Sequence, residues 1–167
     1  GLDGRANAYA RWALARGLRK GDSVALFMPN RPEYVAIWFG LVRIGVGVAL
    51  VNTNLTGTAL AHSLQVVKAK AVIVDAALLK EFETARGRGE APAYVYGETR
   101  AGEARLDLEV AGFDEAALSD EERPELSLSN AALYIYTSGT TGLPKAARIT
   151  HSRVLRIMLG FAAAIGA

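Results

Sequence analysis

No cysteine occurs among the 167 residues, which removes disulfide frameworks, thiolate nucleophiles and cysteine-based metal sites, and agrees with a reducing, cytoplasmic setting. Histidine is nearly as scarce. Two residues, His62 and His151, leave little scope for a metal cluster. Charged side chains make up only 22% of the chain and hydrophobic ones 51%, with a mean hydropathy of +0.17. A disordered polar chain is thereby excluded, because there is ample apolar surface to offset the entropy of ordering. A membrane-length apolar run is missing too. The stretch Val35 to Val51 is interrupted by Arg43, Gly45 and Gly47 and falls short of the roughly 20 residues a span needs, so it reads as a helix followed by a buried strand. The opening GLDGRANAYA has no cationic start, apolar stretch and small-residue cleavage site, and is not a secretory signal. It has no initiator Met, it is already helical in pattern, and the closing MLGFAAAIGA is still helical in composition. The expectation is a fragment cut from something longer.

The net charge of +2 hides an asymmetry. Residues 98 to 125 hold ten acidic side chains against Arg100, Arg105 and Arg123, so the remainder of the chain is basic. A basic remainder suits an anionic partner such as a nucleotide. The Lys and Arg residues are scattered rather than clustered with aromatics, which speaks against nucleic acid.

Helical spacing alternates with short β-rich runs, the pattern of helices crossing between parallel strands. The expected fold is therefore α/β, a largely parallel sheet flanked by helices. Residues 5 to 17 read as a helix closed by Gly17, followed by a strand over Val24 to Met28. Asn30 offers a cap with Glu33 at the capping-box position, and Tyr34, Ile37, Trp38, Leu41 and Val42 share one face that should be core. Val46 to Val51 is the next strand, and Thr56 caps a helix with Leu60, Leu64 and Val67 inward. Then come a strand over Ala71 to Val74, a helix over 76 to 86 and a strand over Ala93 to Tyr96. The acidic segment reads as a surface connection with one short helix around Phe113 to Leu118. Beyond it lie a strand over Ala132 to Tyr136, a polar glycine loop over Thr137 to Lys145, a strand over Ala146 to Ile149 and a final helix capped by Thr150. Three regions follow: a sheet region 1–96, an acidic connection 97–128, and a strand-loop-strand with its helix, 129–167.

The loop carries the chemistry. Thr137, Ser138, Gly139, Thr140, Thr141 and Gly142 set four hydroxyls and two glycines in sequence directly after a strand, with Lys145 close behind. Glycines let successive backbone N–H groups converge on an anion, hydroxyls add donors or reach a metal, and an ammonium balances phosphate charge. On mechanics alone a Ser/Thr/Gly run is either a solvated turn or a phosphate cradle. It is not the common P-loop, since Leu143 and Pro144 separate the last glycine from the lysine. Gly45-Val46-Gly47 is not a dinucleotide fingerprint, because Leu50 stands where the third glycine belongs and the run opens a strand rather than following one.

YTSGTTGLPK, from Tyr136 to Lys145, resembles the phosphate-loop signature of the adenylate-forming superfamily of acyl-CoA synthetases, luciferases and peptide-synthetase adenylation domains. The upstream stretch GLRKGDSVALFMPNRPEYVAIWFGLVRIGVGVALVNTNL is similar to the region those enzymes carry before the loop. LPKAA in place of LPKG, with VNTNL, is similar to the very-long-chain acyl-CoA synthetase and fatty acid transport protein branch, Ala146 being the departure from the commonest pattern. The resemblance implies an incomplete amino-terminal AMP-binding domain of an acid–thiol ligase. Two half-reactions come with it: a carboxylate attacks the α-phosphorus of ATP to give acyl-adenylate and pyrophosphate, and coenzyme A then displaces AMP. It further implies that Thr137, Ser138, Gly139, Thr140, Thr141, Gly142 and Lys145 hold the ATP phosphates, and that Mg2+ accompanies the nucleotide within reach of Thr140 or Thr141. The implied partners are ATP, coenzyme A and a long- or very-long-chain fatty acid, with peripheral membrane association as an alternative to a freely cytoplasmic setting. The superfamily's adenine motif Y-G-x-T-E, ribose-binding Asp, hinge and carboxy-terminal catalytic Lys have no match here. No catalytic residue is therefore expected in this fragment, nor activity from it alone.

Other candidates have plainer readings. His62 and His151 are surface or packing residues, Asp75 is a helix cap at the end of its strand, and Trp12, Trp38 and Tyr34 are core. A second class of function stays open: a non-catalytic nucleotide-binding or interaction module, or an adenylate-forming ligase for a different acid or acceptor.

Overall fold

The structure is a computed structural model that describes residues 1–85, 91–99, 103–137 and 144–166. Its elements in chain order are α1 (Leu2–Ala15), β1 (Ser23–Phe27), α2 (Pro32–Arg43), β2 (Gly47–Leu50), α3 (Gly57–Val66) and β3 (Ala71–Asp75). A 3-10 turn over Ala76–Leu78 leads into α4 (Leu79–Ala85), followed by β4 (Ala93–Tyr96), β5 (Ala104–Arg105) and α5 (Leu106–Val110). The chain ends in β6 (Ala131–Thr137), β7 (Lys145–Thr150) and α6 (His151–Ile165).

Among the described residues seven strands form one sheet in the order β5-β4-β3-β1-β2-β6-β7. All neighbouring pairs are parallel except β6 with β7. Every residue of β1 and β3 is buried, as expected when helices cover both faces. Alternation along the strands divides the core in two. Val24, Leu26, Ala71 and Ile73 pack with α1 and α2, whereas Ala25, Phe27, Val72 and Val74 pack with α3 and α4. Between α1 and α2 the approach is close enough that a Cβ on Gly40 would lie 2.4 Å from the Ala6 carbonyl oxygen.

Three local expectations are corrected. The Asn30/Glu33 capping box does not form: α2 begins at Pro32 behind Arg31, with no side-chain cap. Pro at the first helical position pre-sets the backbone there, and Glu33, only 4% exposed, turns inward instead. Thr56 occupies the position before α3 without capping it, and the Gly57 N–H donates to Thr84 Oγ1 on α4 (2.6 Å). The short helix of the acidic segment lies at Leu106–Val110, not around Phe113 to Leu118. Leu106 and Leu118 are buried in the α1–α2 cluster, with Val110 and Phe113 packed against it. Apolar residues spaced irregularly through an acidic stretch thus serve as anchors into the core rather than as one helix face.

Polar contacts complete that anchoring. Arg11 of α1 donates to the carbonyls of Asp114 (2.7 Å), Ala116 (2.8 Å) and Ala117 (3.0 Å) and grips the Glu122 carboxylate with Nε and Nη2 (2.7 and 2.9 Å). Asn7 donates to Glu115 O (3.1 Å), and the buried Trp12 donates its indole N–H to Glu109 (2.7 Å). Backbone groups of an irregular segment need partners wherever water is excluded, and α1 provides them.

Candidate functional site

Because β6 runs parallel to β2, the loop after β6 leaves from the carboxyl edge of the sheet, where open α/β folds place ligands. The last pair of the β6–β7 ladder is Thr137 with Lys145. These two predicted residues therefore face each other across the open end of a hairpin, both exposed. Lys145 makes no ion pair among the described residues. Its ammonium is thus available to an anionic ligand. Ser138, Gly139, Thr140, Thr141 and Gly142 lie outside the described residues.

The base of the hairpin is fixed from two sides. Through the β2–β6 ladder, Val48, Ala49 and Leu50 register with Leu133, Tyr134 and Ile135. Gly47 makes room for the Tyr134 ring, whose edge would stand 2.8 Å from a Cβ there. From the covering layer, α3 reaches both feet of the loop. Tyr136 donates its hydroxyl to the Ser63 carbonyl (2.6 Å), an oxygen in the last turn of α3, where carbonyls run out of helical donors. Burial pushes the Tyr136 phenol well above its ordinary range, so it stays a donor. One position along α3, the half-buried His62 approaches the Pro144 carbonyl through Nε2 at 3.1 Å. Since a carbonyl only accepts, that nitrogen carries the proton.

A second polar cluster occupies the same edge. The buried Glu33 accepts from the Tyr9 hydroxyl and pairs with Arg5. Asp75 ends β3 and accepts from the Ala77 N–H (3.0 Å), as a cap should, while Arg31 after β1 reaches its other oxygen at 2.7 Å. The Arg31 guanidinium also lies 5.8 Å from the centroid of the Tyr96 ring at the end of β4. The pair ties together the ends of β1 and β3, whose onward helices α2 and α4 pack on opposite faces. With each carboxylate matched to an arginine, this cluster reads as a brace.

His151 opens α6, capped by Thr150, whose hydroxyl oxygen accepts from the Arg153 N–H (3.4 Å). Its Nε2 is buried without a hydrogen-bond partner among the described residues, and desolvation lowers the imidazole's pKa. A neutral packing residue fits these facts. Among the described residues no group of three or more His, Cys, Asp or Glu side chains gathers to hold a metal ion, and no helix is long and apolar enough to cross a membrane. Sequence reasoning passed over the His62 and Tyr136 contacts because their partners lie 82 and 73 positions away, and nothing local signals them.

A family model described as AMP-binding enzyme matches residues 1–166. The chain is 39% identical over 160 residues to long-chain fatty acid transport protein 2 of Rattus norvegicus, covering 92% of this chain and 26% of that protein. It is 38% identical over 167 residues to long-chain fatty acid transport protein 1 of Bos taurus, covering 93% and 25%. It thus spans about a quarter of the length of these relatives. Among solved structures, the anthranilate CoA ligase AuaEII in complex with anthranoyl-AMP superposes with a TM-score of 0.82 at 25% identity, over 90% of this chain and 29% of that one. ATP-bound MatB from Rhodopseudomonas palustris superposes at 0.80 with 28% identity, over 97% and 31%.

Proposed function

The chain belongs to the AMP-binding enzyme family, and from that premise we propose that it is part of an ATP-dependent fatty acid–CoA ligase. In the proposed reaction a fatty acid carboxylate oxygen attacks the α-phosphorus of ATP and pyrophosphate departs. The sulfur of coenzyme A then attacks the acyl carbon, releasing AMP. Residues 1–167 form part of the amino-terminal AMP-binding domain in this reading, with 1–96 as sheet region, 97–128 as acidic connection and 129–167 carrying the phosphate loop.

The observation that carries the proposal is the hairpin at the carboxyl edge of the sheet, where Thr137 stands opposite an exposed Lys145 that makes no ion pair among the described residues, at the two ends of S-G-T-T-G-L-P. In phosphoryl transfer the protein mainly positions groups and neutralises developing charge. Lys145 is assigned to the β- and γ-phosphates, together with the hydroxyls and backbone N–H groups of Thr137, Ser138, Gly139, Thr140, Thr141 and Gly142. The hard oxygen donors of this run also fit Mg2+ arriving with the nucleotide, through Thr140 or Thr141. Bound there, the ion would neutralise phosphate charge. The fatty acid is favoured over other acids by the relatives named above.

The test is ATP–pyrophosphate exchange with a long-chain fatty acid, measured on the intact polypeptide that carries these residues. Lys145→Ala is expected to slow exchange by about two orders of magnitude while leaving the unfolding midpoint in place. An unchanged exchange rate removes the lysine from the site. Residues 1–167 alone are expected to release no pyrophosphate, and release above background would overturn that expectation.

A further inference from the structure

We infer that His62 is a positioning residue for the phosphate loop, which it clamps together with Tyr136 from one turn of α3; the inference rests on the ATP-phosphate reading of the hairpin.

The two contacts are made by consecutive residues of one helix with the two opposite feet of one loop. Tyr136 precedes the loop on β6 and donates to the Ser63 carbonyl at 2.6 Å. Pro144 follows the loop, one residue before Lys145, and accepts from the His62 ring at 3.1 Å. Pro144 has no backbone N–H of its own, so the antiparallel ladder cannot hold it through a donor. The last cross-strand pair is Thr137 with Lys145, and Pro144 lies just beyond it. Among the described residues the His62 bond is what holds the backbone where the strand ladder ends.

The clamp has a firm footing. Ser63 is fully buried and its hydroxyl bonds back to the Ala59 carbonyl (3.0 Å). Leu60, Ala61 and Leu64 seat the same turn of α3 in the core with Phe27 and Val74. A displacement of Pro144 would shift Lys145, whose side chain must meet a phosphate with little tolerance for misplacement. His62 touches no reacting atom in this arrangement. Its effect should appear in nucleotide binding and not in recognition of the acid.

The experiment measures steady-state ATP–pyrophosphate exchange with palmitate, and calorimetric ATP–Mg2+ binding, on the intact polypeptide. His62→Leu fills the space without a donor, and His62→Gln restores an N–H of similar reach. The expected result is an ATP KM raised about fivefold in His62→Leu, the size of one lost hydrogen bond. The palmitate KM should be unchanged, and most of the loss should be recovered in His62→Gln. An unchanged ATP KM in His62→Leu overturns the inference. So does a palmitate KM that rises in step, or a glutamine variant no better than the leucine one, since both would mark a merely structural residue. Should His62→Leu not accumulate as folded protein, His62→Asn, too short to reach the Pro144 carbonyl, makes the same comparison. Lys145→Ala separates the two readings. If it weakens ATP and His62→Leu does not, the phosphate site stands and the clamp falls; if the unaltered protein neither binds ATP nor catalyses exchange, both fall.

Discussion

The acidic segment from Glu103 to Glu125 and the β6–β7 hairpin both depart from the run of helices crossing between parallel strands, yet the molecule holds them in opposite ways. The acidic segment is bound along its length: Leu106 and Leu118 enter the core, Trp12 and Arg11 reach out to it, and Lys20 donates to the Glu125 carbonyl (2.6 Å). Among the described residues α3 meets the hairpin at its feet, accepting from the Tyr136 hydroxyl through the Ser63 carbonyl and donating from His62 to the Pro144 carbonyl, while Thr137 and Lys145 are exposed at its end. The difference lies in where each segment is held: donors and apolar anchors meet the acidic stretch along its whole length, whereas α3 meets the hairpin at its feet.

The sharpest way to break this comparison is to remove the belt's anchor. Trp12 is completely buried, meets Tyr94 edge to face at 4.8 Å between centroids, and bonds Glu109. Trp12→Ala should cost about 3–5 kcal/mol, read as a fall in urea midpoint at constant slope; a cost below about 1 kcal/mol would mean that the belt is not held there. Next in size, Gly40→Ala sets a methyl group against the Ala6 carbonyl and the Tyr9 Cβ. Overpacking of the α1–α2 crossing should destabilise by about 1–3 kcal/mol, and an unchanged melting temperature would show that the helices can separate freely.

Arg11→Met tests the polar half of the belt. Three carbonyls and a carboxylate lose their donor in a partly exposed setting, so the expected cost is about 1 kcal/mol. Its signature is in the pH dependence. The Arg11 guanidinium, and after it the Ser119 N–H, hold the Glu122 carboxyl below its usual range. Stabilisation from Glu122 is therefore complete above its unfolded pKa, about 4.3, and is lost as pH falls through the lower folded value. The melting temperature of Arg11→Met should fall less steeply than that of the unaltered protein below about pH 5; parallel curves would show that the pair contributes nothing. On the hairpin side the effects should be no larger than that of Arg11→Met. Tyr136→Phe, which strips a hydroxyl from the Ser63 carbonyl, should cost about 1 kcal/mol, and Thr150→Ala, with its long 3.4 Å cap bond, about 0.5 kcal/mol. Calorimetric melts rank them, and a hairpin variant costing more than Trp12→Ala would reverse the comparison.

The alternating pattern made the sheet legible. Ala93–Tyr96 was expected as a strand and is one, and β1, β2, β3, β6 and β7 lie within a residue or two of their expected limits. Such runs are apolar on both faces, so local composition carries the signal. Residues 106–118 were less readable because their apolar side chains are spaced for contact with α1, a partner about a hundred positions away, and show no period of their own. Glu33 misled for the same reason. Its place three residues after Asn30 fits a capping box, while Tyr9 and Arg5 claim it from a different helix. At the candidate site, the chemistry of Thr137 and Lys145 was visible in the residue types, and their register across the hairpin was not.

By itself, then, the sequence determined the element types and the α/β class, because each depends on near neighbours along the chain. Only the tertiary structure decided that β3 crosses back to the far side of β1, that the acidic stretch belts α1, and that His62 and Tyr136 secure the two feet of the loop. Those outcomes depend on which donors and apolar faces meet across long separations, and a linear pattern does not encode that meeting.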